Sequence, residues 1–114
     1  MLADTAMEFM THYRVLAVQM RLKSARIHPQ VFLSFVDLVI DHLASGAGPG
    51  CCAHAAFKAM PPEEQEQHPE MIFTLTQLEN PAFRRSEIYY TVDTRLESLQ
   101  SLRSIIERIV NAAA

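Results

Sequence analysis

The groups that could do chemistry gather in one stretch, ASGAGPGCCAHAAF, residues 44–57. Gly46, Gly48 and Gly50 surround a proline, and Cys51, Cys52 and His54 follow. Glycine loops cradle phosphates by exposing backbone N–H groups, but here no Gly-Lys-Ser/Thr follows and the preceding segment reads as a helix rather than a strand. The glycine spacing also differs from that of a dinucleotide site. Adjacent cysteines close only a strained ring, whereas catalytic redox pairs hold two residues between them. Cys51, Cys52, His54 and His42 are four soft or borderline ligands, which keeps a metal- or redox-responsive regulator as an alternative. Neighbouring cysteines on a helix nevertheless point about 100° apart, so the expectation is no cofactor. The glycines then serve a tight reversal, and the small residues beside them permit close helix approach.

No other group of residues makes a catalytic set. His42 lies within the apolar arc of its helix, where a hydrogen-bonded core position is expected, with a pH-sensitive interface role as the alternative. Asp37 and Asp41, and Glu63 and Gln67, stand four apart and are expected to face water. Paired carboxylates for acid–base work need a pocket that separates their pKa values, and no serine sits in a nucleophile elbow. The expectation is a binding protein, not an enzyme.

Prolines and glycines cut the chain into pieces of helical length. Asp4 or Thr5 caps a first helix to about Ile27, which ends because proline disfavours helix in the residue before it. Pro29 opens a second helix to Ala44, ended by Gly46. A short third helix runs from Cys51 to Met60, and PPEEQEQHPE is one helical turn or an acidic loop. EMIFTLTQLE admits a strand period through Phe73 and Leu75, but Met71, Leu75 and Leu78 fit a helix, and no second strand is available to pair with it. NPAFRR makes a turn, and Ser86 caps a last helix to Asn111, about 37 Å long. The fold class is all-α, one domain over residues 1–114, with four to five helices and a long C-terminal one.

Hydrophobic residues make up 49% of the 114 residues and charged residues 20%, which excludes general disorder. Net charge is −3 without a basic stripe, so direct nucleic-acid binding is not expected. The most apolar run, VFLSFVDLVIDHL, is too short and too charged to cross a bilayer. The N-terminus lacks a signal-peptide pattern, and two adjacent cysteines are no disulfide framework, so a cytoplasmic location is expected.

Helical faces carry more information than these totals. On the first helix Phe9, Tyr13, Leu16, Met20 and Ile27 fall on one side, and Val15, Val18 and Leu22 on nearly the opposite one. A helix that only covered a core would need one stripe. The second helix is apolar around most of its circumference, as suits a helix central in its domain or covered by another chain. The last helix carries a stripe through Ile88, Val92, Leu96, Leu99, Leu102, Ile106 and Val110. Arg95 and Arg103 lie in its arc, either snorkelling or pairing with acids across an oligomer interface. Several methionines suit adaptable contact surfaces or core gaps. So much apolar surface predicts a homodimer with a further face for a protein partner.

The size, the order of helices and the terminal helix SEIYYTVDTRLESLQSLRSIIERIV resemble the small all-helical antiactivators of bacterial quorum sensing. That resemblance implies binding to a LuxR-type transcription factor, blocking its dimerisation and its grip on DNA, and hence a role in transcription regulation. Partner contact is then expected on Phe32, Phe35, Val36 and Val39, and self-association on Leu96, Leu99, Leu102 and Ile106. A secretion-type chaperone or subunit that shields another chain's helix is the alternative among binding proteins.

Overall fold

The structure, a computed structural model, describes residues 2–79 and 91–113. Six helices lie among them: α1 (Leu2–Ala25), α2 (Pro29–Ala44), α3 (Cys52–Ala59), α4 (Pro62–Gln67), α5 (Met71–Leu78) and α6 (Val92–Ala113). The fold is all-α, and no strand occurs among the described residues. The acidic stretch supplies the extra helix, α4, with Glu63 and Glu64 in its first turn, where carboxylates favour the positive end of the helix dipole. The NPAFRR turn, Ser86 and Ile88 lie outside the described residues. Thr91 Oγ1 accepts the Thr94 backbone N–H at 3.3 Å, as a residue before a helix does for the third residue inside it.

α1 and α2 end by the same device. The Ile27 N–H reaches the Leu22 carbonyl at 3.0 Å and the Arg26 N–H reaches that of Lys23 at 3.1 Å, with Arg26 left-handed at φ 58°. The Ala47 and Gly46 N–H groups repeat the pattern on His42 and Leu43, with Gly46 at φ 108°. Both satisfy the orphan carbonyls of a helix end. The left-handed Arg26 also redirects the chain, which takes Ile27 off the outward side of α1 and buries it. His28 then caps α2, its Nδ1 accepting the Gln30 N–H at 3.1 Å.

α2 is the central helix, packed against α6 and α3, while α1 lies on α6 and α5. Its all-round apolar character is thus used within the chain. Phe32, Phe35, Val36 and Val39 are each 0% exposed, the two rings 6.1 Å apart and tilted. Leu99, Leu102 and Ile106 of α6 are buried in the same core, and Leu96 packs against it half-buried. On α5, Met71, Thr74 and Leu75 are buried while Phe73 is exposed, the period of a helix rather than a strand.

Two ion pairs tie the helices together. Arg95 and Glu79, both buried, meet through two hydrogen bonds of 3.1 and 3.2 Å, and Arg95 also donates to the Pro49 carbonyl. Arg103 joins Asp37 of α2 and Glu107 one turn on. Both arginines therefore pair inside the chain: Arg95 is too deep to snorkel, and Asp37, its side chain 43% exposed, meets water while pairing with Arg103.

Candidate docking face

The glycine corner is built as a joint. α2 ends at Gly46, and the Cys51 and Cys52 N–H groups both reach the Gly48 carbonyl. The Arg95 guanidinium holds the Pro49 carbonyl from α6. Cys51 is exposed and Cys52 buried, so the two thiols face different surroundings. The Cys52 thiol donates to Pro49 O at 3.7 Å, and burial pushes its pKa up from 9.0, against the pull of nearby Arg95. His54 is exposed. His42 is half-buried, its Nδ1 2.8 Å from the Leu38 carbonyl. A carbonyl only accepts, so that nitrogen carries the proton. Among the described residues no three His, Cys, Asp or Glu side chains gather in a way that could hold a metal.

The expected contact residues are not at the surface. Phe32, Phe35, Val36 and Val39, read as partner-binding, and Leu99, Leu102 and Ile106, read as self-associating, fill this chain's own core. Half-buried Leu96 packs on the same cluster. Sequence patterning marked these residues as apolar and needing cover, but α2 and α6 supply that cover to each other.

Most of the apolar surplus that survives folding among the described residues is on α1, with Phe73 and Val92 exposed singly elsewhere. The inner face of α1 places Val18 and Leu22 in the core with Val15 against it. Its outer face shows Phe9 at 71%, Tyr13 at 67%, Leu16 at 45% and Met20 at 70% exposure. These four recur at intervals of four, three and four residues, the spacing of a helix–helix seam. Met10, 70% exposed, extends the strip to one flank. At about 200 Å² for a large exposed side chain, the five present on the order of 600 Å² of mostly apolar surface, the top of the range for one patch on a monomer.

Two shallow grooves follow one edge of this strip. The first, about 590 Å³, lies between α1 and α6 and is lined by Met10, Tyr13, Arg14, Ile105 and Arg108 among others. The second, about 350 Å³, is lined by Ala17, Met20, Arg21 and Ser24. Arg14 donates to Ser101 Oγ at 2.9 Å, which holds its guanidinium beside the first groove. No carboxylate among the described residues forms an ion pair with Arg14, Arg21 or Arg108.

Compared with protein-family models, with curated proteins and with solved structures, the chain matches none. No helix among the described residues is long and apolar enough to cross a membrane.

Proposed function

We propose that this chain is a protein-binding regulator, an antiactivator that covers the helical surface through which a LuxR-type transcription factor dimerises. Occupying that surface denies the factor the two-fold arrangement needed to grip a palindromic DNA site. The observation that carries the reading is the outward seam of α1, apolar at helix-pairing intervals and left bare by its own fold. Contact is thus assigned to Phe9, Tyr13, Leu16 and Met20.

The test is gel-shift titration of a LuxR-type factor on its two-fold DNA site. Added protein is expected to abolish the shifted band, and the Leu16→Glu/Met20→Lys variant to leave it intact. A band unaffected by a large excess of the unaltered protein overturns the antiactivator reading.

A further inference from the structure

Resting on the reading of the α1 seam as a docking face, we infer that its occupant is an amphipathic helix carrying carboxylates beside its apolar stripe. The grooves fix where those carboxylates go. Arg14 and Arg21 are seven residues apart, one heptad, and each stands in a groove beside an exposed seam residue, Tyr13 and Met20. Arg108 of α6 adds a third cation to the wall of the first groove. None of the three has a carboxylate partner among the described residues, although the chain as a whole is acidic at −3. Glu63 and Glu64 lie on α4, Glu79 is inside, and Asp37 and Glu107 hold Arg103, while Glu8 of α1 shares another groove with Arg108 without forming an ion pair with it. A partner helix seated on the groove edge of the seam, over Met10 and Ala17, would bring acids at heptad spacing to Arg14 and Arg21, and Arg suits carboxylates through its planar fork.

The experiment uses two synthetic helical peptides of equal length with the same leucine seam, one with Glu and one with Lys at the flanking positions one heptad apart. Binding to the full-length chain is read by fluorescence anisotropy at low and high salt. The Glu peptide is expected to bind about tenfold or more tightly than the Lys peptide, and its affinity to fall as salt rises. In Arg14→Glu/Arg21→Glu the preference is expected to reverse. If that variant does not fold, the salt dependence and the peptide ratio on the unaltered chain decide alone. Equal binding of both peptides overturns the acidic partner while leaving the docking face. A dimer that binds neither peptide and dissociates on Leu16→Glu/Met20→Lys overturns it in favour of a second copy. A monomer that binds neither peptide overturns the docking face as well.

Discussion

Replacing Arg95 by methionine removes the guanidinium and keeps much of the volume. Glu79, 3% exposed, then loses both of its hydrogen bonds to Arg95, at 3.1 and 3.2 Å, and water cannot replace them. Breaking a buried pair from one side costs about 3–5 kcal/mol, chiefly because the surviving charge is stranded. Against a total stability of about 0.05–0.15 kcal/mol per residue, that is a large fraction of what a chain of this length has. At roughly 4 °C per kcal/mol, the melting temperature should fall by about 12–20 °C. Loss of the donor to Pro49 O also frees the glycine corner from α6. The assay is urea unfolding followed by circular dichroism, on Arg95→Met and on Arg95→Met/Glu79→Leu. The double variant should recover most of the loss, because apolar replacement of both partners leaves no charge stranded. A single variant that loses under about 1 kcal/mol, or a double variant no better than the single, refutes the assignment of this pair as a buried, mutually dependent joint.

Arg26→Gly should raise stability by about 1 kcal/mol, read as a higher melting temperature, since glycine adopts φ 58° without the Cβ cost. An aromatic disulfide reagent should titrate one thiol, Cys51, in the native protein and the second only on unfolding. Because burial raises the Cys52 pKa, its contribution to stability is full below the ordinary value of 9.0 and is lost as pH climbs above it, where the unfolded thiol ionises first. Unfolding curves between pH 8 and 11 check the sign, and the loss should shrink in Cys52→Ala. Asp37→Asn should cost less than about 1 kcal/mol, measured by urea unfolding, because both side chains of that ion pair remain partly exposed.

Helix existence was legible wherever punctuation was local. Pro29 and Gly46 bracket α2 because one fixes φ for a first turn and the other accepts the left-handed turn that ends it. The two-sided character of α1 was legible for the same reason, since side-chain direction on a helix follows from spacing alone. What spacing does not contain is which faces meet. Phe35 and Ile106 were recognisable as apolar residues in need of cover, but the partner of α2 is α6, more than fifty residues away in sequence, and nothing local announces that pairing. The seam on α1 and the core of α2 look alike as sequence, and only tertiary packing tells a satisfied apolar face from a bare one. The ion pair of Arg95 and Glu79 was hidden likewise, since Glu79 follows the end of α5 while Arg95 lies on α6, and neither carries a motif.

Equilibrium urea unfolding of Leu16→Glu/Met20→Lys, set beside Val18→Asp, asks whether the outer face of α1 is surplus to folding. The outer pair should unfold within about 1 kcal/mol of the unaltered chain, whereas aspartate at buried Val18 should cost several times that. A loss of about 3 kcal/mol or more from the outer pair would contradict a surplus face, because the seam would then be holding this protein together rather than waiting for another.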